Sequence, residues 1–121
     1  MPFSYRIDAS RKMIFSEAWG EMTEEDIRSY REKMAVDPDF RPGYWYLGDY
    51  RRITKFDVST KFSRELSLDL MSGEGARLAF VFPDDLAYGM SRMFSVEVEQ
   101  SDVEVRPFRD IAAARRWLGL D

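Results

Sequence analysis

The 121-residue sequence has no histidine and no cysteine. Without cysteine there is no disulfide, no thiolate nucleophile and no sulfur ligand for zinc. Without histidine there is no imidazole base near neutral pH, and neither Ser-His-Asp nor Cys-His machinery can be assembled. Long apolar runs are missing too: no uncharged stretch approaches the ~20 residues of a membrane span. Residues Met1 to Asp8 alternate apolar and polar instead of forming a signal peptide's apolar segment. These features lead to the expectation of a soluble, cytoplasmic protein with no membrane span. Excess positive charge is also absent. The net charge is −4, opposite to the basic surface that duplex nucleic acid requires, so no nucleic-acid partner is expected. Lysine is scarce, and 14 of the 18 basic residues are arginine. That bias reads either as genome composition or as anion recognition, because guanidinium forks match carboxylate and phosphate oxygens.

What is present fits one globular domain: 45% hydrophobic residues, 33% charged, and a length sufficient for a core. Phe3, Tyr5 and Ile7 alternate with polar residues, as in a half-buried strand. A polar turn at 9–12 leads to a second strand over Met13 to Trp19, which Gly20 is expected to stop. Thr23 followed by Glu24, Glu25 and Asp26 starts a helix, with Ile27, Tyr30 and Met34 as its apolar stripe. Tyr44 to Leu47 is a third strand, expected to end at Gly48-Asp49 and to give way to a basic loop over Tyr50 to Phe56. Asp57 or Ser59 would cap a second helix carrying Phe62, Leu66 and Leu70, closed by Ser72 to Gly75. Leu78 to Phe82, apolar throughout, is a strand covered on both faces. Pro83 opens a third helix with Leu86, Met90, Met93 and Phe94 inward. Val103 to Arg106 is a last strand, and Asp110 caps a last helix with Ile111, Ala114 and Leu118 inward. The order β-β-α-β-α-β-α-β-α predicts an α/β fold: a mostly parallel five-stranded sheet with an antiparallel edge hairpin.

Several stretches resemble the SpoIIAA-like family, whose fold is shared with STAS domains. They are Gly20 to Asp26, Asp39 to Gly43, Leu47 to Arg51, Ala79 to Asp85, Tyr88 to Met93, and Phe108 to Asp110 running into Trp117 to Gly119. In order, they span nearly the whole chain. The resemblance implies a SpoIIAA/STAS-like β-α superhelix around a mixed sheet, and a binding or regulatory role without catalysis. Anti-sigma antagonists of this fold carry Asp-Ser-Ser-Gly at the start of the second helix, where a kinase phosphorylates the first serine. Here the matching residues are Asp57-Val58-Ser59-Thr60. Val58 stands at the acceptor position and cannot be phosphorylated; Ser59 or Thr60 could serve in its place, displaced from that register by one or two residues.

Charge is unevenly spread. Residues 20–40 hold seven acids against three bases. Residues 41–64 hold Arg41, Arg51, Arg52, Lys55, Lys61 and Arg64 against Asp49 and Asp57. Residues 65–105 hold nine acids against two bases. In an open α/β sheet, ligands favour the crevice beyond the carboxyl ends of the strands, where the 49–57 segment is expected beside a helix N-terminus. Candidate binding residues for an anionic ligand or acidic partner are therefore Arg41, Asp49, Arg51, Arg52, Lys55, Asp57 and Ser59. The plainer reading is a solvated basic loop paired with the acidic helix before it. Asp49 and Asp57 are also the pair from which a carboxylate- or Mg²⁺-dependent enzyme would be built, should they converge. No cofactor is expected. Tyr88, Met90 and Met93 are candidates for lining an apolar pocket.

Aromatic residues give a further expectation. Tyr44 and Tyr46 face one way, Trp45 and Leu47 the other, so both faces of the third strand are apolar. Either a helix packs on each face, or one face is covered by a second copy of the chain in a homodimer. The sequence therefore supports a non-catalytic binding or regulatory module, homodimeric, with a protein or small-ligand partner. The alternative is a carrier of a small apolar ligand or lipid, with its pocket between the third helix and the sheet.

Overall fold

The computed structural model describes residues 3–59, 61–62, 75–83 and 104–120. Strand β1 (Phe3–Asp8) and strand β2 (Met13–Thr23) form an antiparallel hairpin. The Asp8 carboxylate accepts from the Ser10 hydroxyl at 2.6 Å and the Arg11 amide at 3.2 Å, fixing the turn between them. Helix α1 (Glu24–Ala35) starts in a reciprocal cap: the Asp26 amide donates to Thr23 Oγ1 at 3.2 Å, and the Thr23 amide donates to Asp26 Oδ2 at 3.1 Å. Strands β3 (Trp45–Asp57), β4 (Arg77–Val81) and β5 (Glu104–Phe108) follow, then helix α2 (Ile111–Trp117), capped by Asp110. The strands lie in the order β1-β2-β3-β4-β5, with every pair parallel except β1–β2. The mixed five-stranded sheet with an antiparallel edge is as the sequence pattern requires. Two helices stand among the described residues. The expected second and third helices fall mainly outside them, as do Tyr88, Met90 and Met93 and hence the expected apolar pocket.

A helix packs on each face of the sheet. On one, Ile27, Tyr30 and Met34 of α1 meet Ile14, Ala18, Met22, Tyr46, Tyr50, Ile53, Leu78 and Phe80. On the other, Ala114 and Leu118 join Met13, Leu47, Ala79 and Val81. The apolar Leu47 face of β3 is therefore met by α2 from the same chain, and its aromatic character does not require a second copy.

Two expected strand ends are overturned. Gly20 does not stop β2: it adopts φ +71°, a conformation that glycine reaches without steric cost, and pairing with β3 continues to Thr23. Nor does β3 end at Gly48-Asp49. The segment expected as a basic loop is strand through Asp57, and among the described residues it pairs with β2 alone, since the β4 pairing reaches only as far as Asp49. Along this ribbon β3 carries two extra residues, one between Asp49 and Arg52 and one between Ile53 and Lys55. Such bulges kink the strand and reset which face a side chain takes. They keep both Tyr50 and Ile53 in the core despite odd spacing, and that break in alternation gives the sequence its loop-like look.

At the amino ends of β3 and β4 the Arg77 guanidinium lies 5.1 Å from the Trp45 ring centre and 5.2 Å from that of Trp117, and it donates to the Trp117 carbonyl at 2.9 Å. Arg106 lies 5.2 Å from the Trp117 ring. This stack ties α2 to the sheet. Arg77→Ala should lower stability by about 1–2 kcal/mol, and Arg77→Lys should recover little of it, because an ammonium lacks the planar fork. Equal denaturant midpoints for Arg77→Lys and the parent chain would show that charge alone matters.

Candidate functional site

Alternation along β3 puts Tyr46, Gly48 and Tyr50 on the α1 side of the sheet. Beside Gly48 on β2 is Ser16, itself opposite Tyr5 on β1. Two small residues thus leave a hollow, and three phenols converge over it. The Tyr30 and Tyr46 hydroxyls are 3.1 Å apart, and those of Tyr46 and Tyr50 are 3.0 Å apart. Ser16 Oγ donates to the Ser4 carbonyl at 3.4 Å. Every member is buried. Desolvation is the largest cause holding the three phenols far above the ordinary tyrosine range, so they are neutral donors and acceptors at physiological pH.

Tyr30 links this buried network to an open cleft of about 360 Å³, lined by Phe3, Ser4, Tyr5, Ile7, Tyr30, Lys33, Asp37 and Asp39. The cleft runs beside β1 and under the end of α1. The Tyr5 hydroxyl donates to Asp37 Oδ2 at 2.8 Å. Burial, then the Asp37 bond and charge, push the Tyr5 phenol up to about 12. The Asp39 amide, the Tyr5 hydroxyl and the Lys33 charge hold the Asp37 carboxyl below the usual carboxylate range. The Lys33 ammonium is 5.9 Å from the Tyr5 ring centre. The cleft therefore offers one cation, two carboxylates, hydroxyls and aromatic faces.

The residues singled out by charge do not form one patch. Arg41 donates to the Pro38 and Phe40 carbonyls at 2.9 and 2.7 Å, before β3 begins, and so stands at the opposite end of that strand from the other basic residues. Arg51 grips Asp49 through two bonds, Nε to Oδ1 at 2.8 Å and Nη2 to Oδ2 at 2.7 Å. Those bonds lower the Asp49 carboxyl's pKa and raise that of Arg51. Lys55 lies 3.8 Å from Glu21 across the exposed ribbon, and Arg52 is exposed. Asp57 ends β3 opposite Thr23 and does not cap a helix. The Ser59 Oγ accepts from the Phe62 amide at 3.1 Å, while its own amide donates to Glu24 at 2.9 Å; the body of the helix expected there lies outside the described residues. Asp49 and Asp57 are eight residues apart on one strand, over about 20 Å at the usual rise. They do not converge, so the carboxylate pair on which a carboxylate- or Mg²⁺-dependent reading would stand is not assembled.

The phenol hollow and the cleft went unread in the sequence. The available signal was Tyr46-x-Gly48-x-Tyr50, an alternation concealed by ending the third strand at Gly48.

No protein-family model matches the chain, and no curated protein matches it. Among solved structures, the chain is similar to an uncharacterised protein of the DUF3478 family with a SpoIIAA-like fold from Shewanella loihica PV-4. The identity is 20%, the TM-score 0.64, and the match covers 96% of this chain and 93% of that one. The chain has the SpoIIAA-like fold that its motifs resemble.

Proposed function

We propose that this SpoIIAA-like chain is a non-catalytic binding or regulatory module whose working surface is the cleft beside β1. The observation that supports it is the cleft's lining: Lys33, Asp37, Asp39 and neutral phenols are presented together, whereas Asp49 is held by Arg51 on the other side of the sheet. Groups of this kind supply directional hydrogen bonds and both signs of charge, which is what selective docking uses. Native mass spectrometry of the freshly purified chain should show a higher oligomer or a retained mass. Asp37→Lys with Asp39→Lys should release it without altering the far-UV circular dichroism. Arg51→Glu with Arg52→Glu should leave it in place. The reverse pattern would transfer the working surface to the β2–β3 ribbon and sink this reading.

A further inference from the structure

The two edges of the sheet differ. Strand β5 carries Pro107, which cannot donate to a neighbouring strand, between charged residues Glu104, Arg106 and Arg109. Prolines and charges of this kind guard an edge against added strands. Strand β1 has no proline within it and no bulge, and among the described residues its six residues pair with β2 on one side only. The cleft is lined by Phe3, Tyr5 and Ile7 on the α1 face of this strand, together with Lys33, Asp37 and Asp39. We infer that a second copy of this chain occupies the cleft, its β1 adding antiparallel to β1 with Tyr5 opposite Tyr5 across a twofold axis. The inference rests on the reading of the cleft as the working surface.

Register follows from parity and charge. Phe3, Tyr5 and Ile7 face α1, and Ser4 and Arg6 face the other way. Residues directly opposite in a continuous sheet must share a face, so the two residue numbers must sum to an even value. Of the two registers with most overlap, one sets Arg6 opposite Arg6 and brings like charges together. The other sets Tyr5 opposite Tyr5, Phe3 opposite Ile7, and Arg6 opposite the uncharged Ser4.

In that register the Phe3, Tyr5 and Ile7 side chains of both copies lie side by side on the α1 face of the joined sheet. The rims carry Lys33 beside Asp37 and Asp39, so a rim meeting its own copy can set the ammonium of each copy against a carboxylate of the other, as a self-complementary interface needs.

Sedimentation equilibrium of the full chain should show a dimer. Ser4→Arg sets arginine against Arg6 and should weaken it at least tenfold; adding Arg6→Glu in the same chain should restore it. Cysteine reports the register directly, because the chain has none of its own and any disulfide must join two copies. Opposed Cα atoms in an antiparallel pair are ~4.5–5.5 Å apart, within disulfide reach. Tyr5→Cys should therefore cross-link on oxidation, and Arg6→Cys should not. If Ser4→Arg fails to fold, the two cysteine variants decide. A parent chain that is monomeric at every concentration overturns the inference while leaving a different occupant for the cleft. A dimer that ignores Ser4→Arg and does not cross-link through Tyr5→Cys also overturns it, by placing the second copy elsewhere.

Discussion

Raising the pH beyond 10 should unfold the protein over a narrow interval. In the folded chain the Tyr30, Tyr46 and Tyr50 phenols are buried together and keep their protons far above the ordinary range. In the unfolded chain they ionise near pH 10. Below that value both states hold the protons, and the network's stabilisation is fully present. Above it the unfolded state releases three protons that the folded state retains, so stability falls as pH rises. The slope is about 1.4 kcal/mol per pH unit for each phenol, about 4 kcal/mol for three. Domains of this kind have roughly 5–15 kcal/mol in hand, which this slope removes within a few pH units. Tyr5, with its phenol near 12, adds to the loss between pH 10 and 12. Denaturant melts between pH 8 and pH 12 would measure the slope. Tyr50→Phe should reduce it by one proton, while costing about 1–2 kcal/mol at pH 7 through the hydroxyl partner left behind. A slope identical in parent and variant would mean that Tyr50 ionises in the folded protein.

The same network shows what could be read from the sequence and what could not. Local signals sufficed for α1, where Thr23 and Asp26 make the cap and Ile27, Tyr30 and Met34 the buried stripe that their spacing requires. Likewise Asp110 caps α2, and Ala114 and Leu118 are buried. Beyond Asp49 the pattern of β3 is scrambled by two bulges and by charges that a two-stranded ribbon exposes to water. Period-two reasoning fails there because each bulge shifts the faces by one residue. Linear charge counting failed for a related reason. Arg41 and Arg51 are ten residues apart in sequence, and the strand between them carries them to opposite ends of the sheet. Asp49 then absorbs the Arg51 charge through a local contact. The cleft was hidden because its walls come from β1, α1 and the segment after α1, which only tertiary packing brings together.

Gly48→Ala should destabilise the fold by about 1–3 kcal/mol, against the ordinary direction of that substitution. In an unhindered strand alanine gains roughly 0.5–1 kcal/mol over glycine by restricting the unfolded chain. At Gly48 a Cβ would lie 2.9 Å from Tyr46 Cε1, 3.1 Å from Tyr50 Cζ and 3.2 Å from Phe80 Cδ1. All three are ring atoms of buried side chains, unable to retract as the tip of a lysine would. Tyr46 and Tyr50 are further fixed by their hydroxyl contact, and Phe80 packs 5.4 and 5.5 Å from their ring centres. Relief therefore requires rings to move together, and overpacking of this kind outweighs the backbone gain. If displacement of Tyr50 is the route of relief, Tyr50→Phe should soften the effect, because its ring is then free of the hydroxyl tether. The two substitutions together would be less costly than their separate effects added. Denaturant midpoints for the parent, both single variants and the double variant measure this coupling. A Gly48→Ala chain as stable as the parent would show that the hollow holds a methyl group, and that the phenols over Gly48 are not packed against it as described.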